Sequence, residues 1–280
     1  PTIFDQLGYP KTETLPRLFD RVAEAGGSVP ANEVIGTYEA ILREADARLT
    51  AAFSKRPAAA VVVAQGPLSG VYEAPAFDGS RPGTFWAGPA TRSEARFAMP
   101  TLAYHEAVPG HHLQIAYPQD SGPLFRQIVS FGSYTEGWAL YAERLAWELG
   151  WYEGDAYGNL GRLQAEAYRA ARLVVDTGLH AKGWTFDRAV AFFTENTGYE
   201  AGEFVDPNGQ IARYVVWPGQ ATGYDFGLVK LLELRQKAMD QLGGRFDLKE
   251  FHEVVLGNGS MPLEVLERVV DDYIKARSGS

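Results

Sequence analysis

The chain reads as a mainly helical (α+β) protein with one small β-sheet near its middle. Long stretches repeat apolar residues at helical spacing, with charges on the opposite face. Only two short segments, 58–64 and 83–88, have the valine-rich or aromatic make-up of strands. No repeat period divides the sequence.

A length of 280 residues allows a full core in one large domain or two small ones. Apolar content is 46% and charged content 22%, ordinary for a globular chain. The formal net charge of −9 and the lack of a Lys/Arg-rich block argue against a nucleic-acid partner. With no cysteine, disulfides and thiolate metal sites are excluded. No apolar run approaches the roughly 20 residues of a membrane span. No signal peptide is visible, and Pro1 in place of Met points to a processed, trimmed or partial chain.

Residues 1–56 read as mostly helical. Over 33–53, Val34, Ile35, Tyr38, Ile41, Leu42, Ala45 and Leu49 form one packing stripe, and Pro57 ends the helix. The apolar run 58–64 is a strand, and the Gly- and Pro-rich 65–82 is a loop. The strand over 83–88 precedes the histidine-rich stretch. It is either an ordinary sheet strand or an edge that receives an extended peptide. Helices follow from Pro100 and over 133–149, 160–180 and 187–196, the last capped by Thr185 or Asp187. After a loop through Pro207-Asn208-Gly209 come helices over 221–241, from about 246, and over 262–276.

Three of the five histidines fall within 105–112, beside Glu106. A zinc-peptidase helix places two histidines four residues apart, on one face and about 6 Å apart along the axis. Here His111 follows His105 by six residues and His112 by seven. On a regular helix the first points to the wrong side and the second lies roughly 10 Å away. Pro109 and Gly110 make a regular helix implausible, since the proline ring clashes with the carbonyl of His105. A bulge absorbing two residues would bring His111 to the metal, and one absorbing three would bring His112. The smaller distortion favours His111, with His112 behind it or facing substrate.

A third ligand leaves one open position for water. Glu136, near the start of the next helix, fits that role, and Gly137 would let the two helices approach. Glu143, seven residues on, is too far to share the metal and reads as structural. Zinc lowers the pKa of its water to about 7, and Glu106 would act as general base. A tyrosine from 213–224 could donate to the oxyanion.

The stretches 105–114 (HEAVPGHHLQ), 136–143 (EGWALYAE), 172–180 (RLVVDTGLH) and 217–224 (WPGQATGY) resemble the bacterial family called domain of unknown function 885, grouped with the zincin-like (gluzincin-type) metallopeptidases. The likeness is read from about residue 60 onward, more loosely before it, as the C-terminal part of the family. It implies a single zincin-like catalytic domain over 1–280, with a helical lead-in over 1–57 and a core over 58–280. It also implies a longer family chain whose helical N-terminal portion is lacking here. The resemblance agrees with one zinc held by His105, His111 and Glu136, with Glu106 as base. It implies Tyr224 as oxyanion donor and Arg213 or Tyr214 as the holder of a substrate carboxylate.

Asp176 and His180, four apart on one helix face, could form a second metal pair, orient a ligand histidine, bind substrate, or simply lie on a helix surface. Arg169 and Arg172 pair with acidic groups near the site or sit at the surface. His252 reads as structural. The expected activity is zinc-dependent hydrolysis of short peptides or chain ends. The alternatives are hydrolysis of a non-peptide amide, or a binding module that keeps the fold without catalysis.

Overall fold

A computed structural model of the chain describes residues 2–10, 12–67, 69–120, 124–199 and 209–279. The N-terminal third holds α1 (Ile3–Gln6), α2 (Leu15–Gly26), β1 (Ser28–Val29) and α3 (Val34–Arg48). Val34, Tyr38, Leu42 and Ala45 form the buried stripe of α3, as the spacing predicts. The helix ends earlier than expected, tightening into a 3₁₀ turn over Leu49–Ala51 before Pro57 is reached.

The sheet contains β2 (Val61–Ala64), β3 (Ser69–Glu73) and β4 (Gly83–Ala87), in the order β2-β4-β3. β2 runs parallel to β4, and β3 antiparallel. Of the two readings of 83–88, the ordinary sheet strand is the one found: it is central, with partners on both sides, and so is not an edge that receives a peptide. One expectation changes: among the described residues the edge strands are β2 and β3, and β3 lies inside the stretch read as loop. Pro67, Gly70 and the Gly-Ser-Arg-Pro turn hide this strand's pattern. β1 pairs separately with β5 (Glu94–Ala95), tying the N-terminal segment to the entrance of the central helices.

Those helices are α4 (Met99–Glu106), α5 (His111–Ala116), α6 (Leu124–Ile128), α7 (Gly132–Glu148) and α8 (Ala156–Lys182). Beyond them lie α9 (Phe186–Thr197), α10 (Gln210–Val216), α11 (Gly223–Leu242), α12 (Leu248–Leu256) and α13 (Leu263–Ser278). Of the two candidate caps on α9, Thr185 is the one used: its hydroxyl accepts from the Arg188 N–H at 3.2 Å. Of the loop expected before α10, Pro207 and Asn208 lie outside the described residues. No helix among the described residues is long and apolar enough to cross a membrane.

The main core joins α3, β4, α4, α7 and α11 around Trp138, Tyr38, Tyr141 and Phe85. Tyr38 meets Phe85 edge-on at 4.9 Å, fixing the sheet against α3. A second cluster of Val175, Val190, Phe193, Ile211 and Tyr214 joins α8, α9 and α10. Helices α7 and α11 cross at Gly137 and Gly227. A Cβ on Gly137 would lie 2.4 Å from the Gly227 Cα, and one on Gly227 would lie 1.8 Å from the Ser133 carbonyl oxygen. Gly137 therefore brings its helix against α11, not against the histidine-bearing α4 as expected.

Candidate metal centre

The break between His105 and His111 is a turn between two helices, not a bulge within one. Helix α4 stops at Glu106, Ala107–Gly110 fold back with a cis Val108–Pro109 peptide, and α5 starts at His111. The backbone crosses the end of α4 so closely that a Cβ on Gly110 would lie 1.9 Å from the His105 carbonyl oxygen. Glycine is the residue that permits this. The Trp138 indole N–H donates to the Pro109 carbonyl at 2.9 Å, fastening the turn to α7 two residues beyond Glu136.

Three side chains converge from α4, α5 and α7. Glu136 Oε2 stands 3.6 Å from His105 Nε2 and 3.4 Å from His111 Nε2. The three ligand atoms all lie within 4.8 Å of one another. A tetrahedral ion with bonds of about 2.0–2.1 Å needs ligand atoms roughly 3.3 Å apart. The Glu136 and histidine spacings suit that, and they are long for direct hydrogen bonds. Glu136 Oε2 is buried without a hydrogen-bond partner. The residues thus fit a divalent cation of zinc type. Although burial opposes it, the histidines at its tip hold the Glu136 carboxyl well below the usual carboxylate range.

His105 is oriented from behind. Its Nδ1 donates to Glu143 Oε1 at 2.7 Å, leaving Nε2 as the nitrogen facing Glu136. Glu143 also accepts from the Thr101 hydroxyl at 2.5 Å and faces Arg169 Nη2 at 3.6 Å. Burial opposes the charge on both partners. Arg169, His105 and Thr101 nevertheless draw Glu143 down, and in the metal-free chain Glu136, Glu143 and Glu106 push His105 up to about 9. Glu143 is the part of the candidate site that the sequence reading leaves out: seven residues from Glu136 is too far to share an ion, but that two-turn step reaches the other nitrogen of the same imidazole.

Glu106 ends α4, buried beside the centre. A Cβ on Gly70 would stand 3.7 Å from its Oε1, so β3, an edge strand among the described residues, passes beside this carboxylate. Tyr224 opens α11, with its ring nearly parallel to that of His105 at 6.5 Å. Burial, and next the charge of Glu136, raise the pKa of its phenol.

Other sequence candidates are placed elsewhere. His112 faces away from the cluster. Its Nδ1 meets the Tyr72 hydroxyl at 2.8 Å, and its ring also bonds the Ala59 backbone. Burial lowers its pKa to about 4. Asp176 does not orient either histidine; both its oxygens accept the Gly219 N–H, at 3.1 and 3.0 Å. His180 Nε2 donates to the Tyr214 carbonyl at 2.9 Å. Tyr214 is 1% exposed and packs on Phe193, so its ring is core and not a surface for a carboxylate. Arg213 donates to Gln220 Oε1, as does Arg172. Of the arginine pair on α8, Arg169 meets the carboxylate of Glu143 and Arg172 does not. His252 is buried between Tyr141 and the Ala52 carbonyl, at 2.8 and 2.9 Å, consistent with a structural role.

The same architecture occurs in solved bacterial proteins. One from Colwellia psychrerythraea, described as a "putative lipoprotein", is 41% identical with a TM-score of 0.90; the match covers 98% of this chain and 49% of that one. A second, from Shewanella oneidensis, is described as a "putative lipoprotein of unknown function". It is 22% identical with a TM-score of 0.82, covering 95% of this chain and 52% of that one. The chain spans about half the length of these relatives. No curated protein matches it. The family profile covers residues 2–270, so the likeness takes in the N-terminal helices and is not confined to a C-terminal part of the family as expected. The chain belongs to the family described as "Bacterial protein of unknown function (DUF885)".

Proposed function

We propose that the chain is a zinc-dependent hydrolase of peptide bonds. The observation that carries this reading is the gap bounded by His105 Nε2, His111 Nε2 and the unpartnered Glu136 Oε2, with Glu106 beside it. Two imidazoles and a carboxylate suit zinc and leave an open position. Zinc held there would make a water acidic and polarise a carbonyl.

The chain supplies the remaining steps. Glu143 fixes the tautomer of His105, so that Nε2 keeps its lone pair for the ion. Glu106 takes the proton of the attacking water and returns it to the leaving amine, work that contributes roughly 10²–10⁴ in rate. Tyr224, protonated at neutral pH, donates to the carbonyl oxygen as it gains charge. An extended peptide can pair with β3, an edge strand among the described residues, which passes beside Glu106.

Glu106→Gln separates this reading from a structural metal site. Metal content, measured by elemental mass spectrometry, should stay at that of the wild type. Cleavage of a peptide library should vanish in the variant and be present in the wild type. Cleavage that persists in the variant overturns the role of Glu106.

A further inference from the structure

The two candidate ligand histidines are supported unequally from behind. His105 donates from Nδ1 to Glu143 Oε1 at 2.7 Å. His111 turns its Nε2 to Glu136, but its Nδ1 is buried with no hydrogen-bond partner among the described residues. A histidine that holds an ion through Nε2 carries its proton on Nδ1. That N–H is almost always given to a carboxylate, a carbonyl or a water. A buried donor left unpaired is costly.

An acceptor on the same helix is orphaned in the same way. Gln114 is 2% exposed, and its Oε1 is buried without a hydrogen-bond partner among the described residues. His111 and Gln114 stand three residues apart on α5. That spacing sets two side chains on one helix face, with Cβ atoms about 5–6 Å apart. A glutamine amide reaches an imidazole over that separation, directly or across one water. The other polar side chain of α5, His112, is committed to Tyr72 and the Ala59 backbone. The nearby Trp138 indole is committed to the Pro109 carbonyl. A buried donor and a buried acceptor, one turn apart, thus account for each other.

We propose that Gln114 is a positioning residue of the metal centre: its Oε1 accepts the Nδ1 proton of His111, as Glu143 accepts that of His105, and so aims His111 Nε2 at the ion. In the metal-free chain either nitrogen of His111 can carry the proton. The contact closes when an ion on Nε2 fixes the proton on Nδ1. A neutral acceptor suits the place. Glu106, Glu136 and Glu143 already surround the histidines with three carboxylates, a charge that one divalent ion and Arg169 balance. The inference rests on reading His105, His111 and Glu136 as zinc ligands, and not on hydrolysis.

The experiment compares wild type, Gln114→Met and Gln114→Glu, each stripped of metal and titrated with zinc against a chromophoric chelator at fixed pH. Melting of the metal-free forms is followed by circular dichroism. Gln114→Met keeps the length of the side chain and removes the acceptor. Its zinc affinity should fall about 10–100-fold. Its metal-free melting temperature should stay at or above that of the wild type, because an unpaired buried amide has been removed. Gln114→Glu keeps the acceptor and should bind zinc at least as tightly as the wild type. In the zinc-loaded wild type, the His111 Nδ1 proton should appear in a nitrogen–proton correlation spectrum of the histidine rings. In Gln114→Met it should exchange with water too fast to be seen. Wild-type zinc affinity in Gln114→Met overturns the proposal. A zinc loss matched by a lower metal-free melting temperature also overturns it, since packing alone would do that. Weakened zinc binding in Gln114→Glu overturns it as well, and this variant decides if Gln114→Met fails to fold. A wild type that takes up no zinc overturns the centre and the proposal together, whereas zinc bound without peptide cleavage counts against the hydrolase reading alone.

Discussion

Replacing Glu143 by Gln keeps the shape of the side chain and removes its charge. In the native protein this buried carboxylate accepts from His105 Nδ1 and Thr101 Oγ1 and faces Arg169. An amide has one acceptor oxygen, so either its NH₂ faces His105 Nδ1, or it faces Thr101, whose hydroxyl must turn to accept from it. Either way one buried donor hydrogen loses the carboxylate, at a cost of up to about 1–3 kcal/mol. Arg169 loses its carboxylate, and breaking a buried pair from one side costs about 3–5 kcal/mol. The two terms overlap, and a melting temperature lower by on the order of 10 °C is expected. The more specific effect is on metal. With His105 no longer pinned to one tautomer, zinc affinity should fall 10–100-fold, about 1.4–2.7 kcal/mol. Competition with a chromophoric chelator at fixed pH measures it, with circular dichroism to confirm the fold. A folded variant with wild-type zinc affinity would refute the orienting role, and a lowered melting point alone would leave Glu143 purely structural.

Three further outcomes follow from the geometry. His111→Ala should lose zinc, whereas His112→Phe should keep it, since the His112 ring is occupied by Tyr72 and Ala59; elemental analysis of both variants would show the reverse if the assignment is wrong. Gly137→Ala places a methyl 2.4 Å from the Gly227 Cα, so α7 must shift, which should cost about 3 kcal/mol or more and weaken zinc binding through Glu136. Wild-type zinc affinity and stability would contradict this account of the helix crossing. The metal-free protein should be most stable near pH 6.5, as urea midpoints across pH would show. His112 and His252 have pKa values lowered to about 4 and about 3, so their contribution is complete above 6.5. It is lost as pH falls through those values, at about 1.4 kcal/mol per unit for each histidine. His105, raised to about 9, contributes fully below 6.5 and loses its share as pH climbs to 9. A flat profile would refute both assignments.

The helices were legible because each buries a stripe that repeats at helical spacing, and local pattern alone reveals that. Val34, Tyr38, Leu42 and Ala45 of α3 are the clearest case. The sheet was half legible. β4 is continuous and aromatic, but β3 is interrupted by Gly70 at a register shift and carries only Val71 and Tyr72 as strand formers. Which strand is central depends on partners far away in sequence, so the pattern of 83–88 leaves an ordinary strand and an edge equally open. The same limit explains Gly137. A glycine signals a close approach, but not which helix approaches.

The site divides along a similar line. His105, Glu106, His111 and Glu136 stand out because their chemistry is concentrated within two short stretches. Choosing between His111 and His112 required knowing how the backbone leaves α4, and Pro109-Gly110 announced a break without giving its path. The path is a fold-back that Gly110 permits and Trp138 fastens, so α5 starts afresh and helical arithmetic across the break loses its meaning. Glu143 was dismissed by that arithmetic, because seven residues from Glu136 is too far for one ion. The imidazole of His105 bridges that distance, taking Glu136 on Nε2 and Glu143 on Nδ1. Pairwise spacing along one helix cannot reveal a bridge supplied by another. Asp176 and His180 are the converse case. Their four-residue spacing suggested a shared ligand, yet each holds a different backbone group of the segment carrying Arg213 and Gln220. In both cases spacing identified the face correctly, and the partner came from elsewhere in the fold.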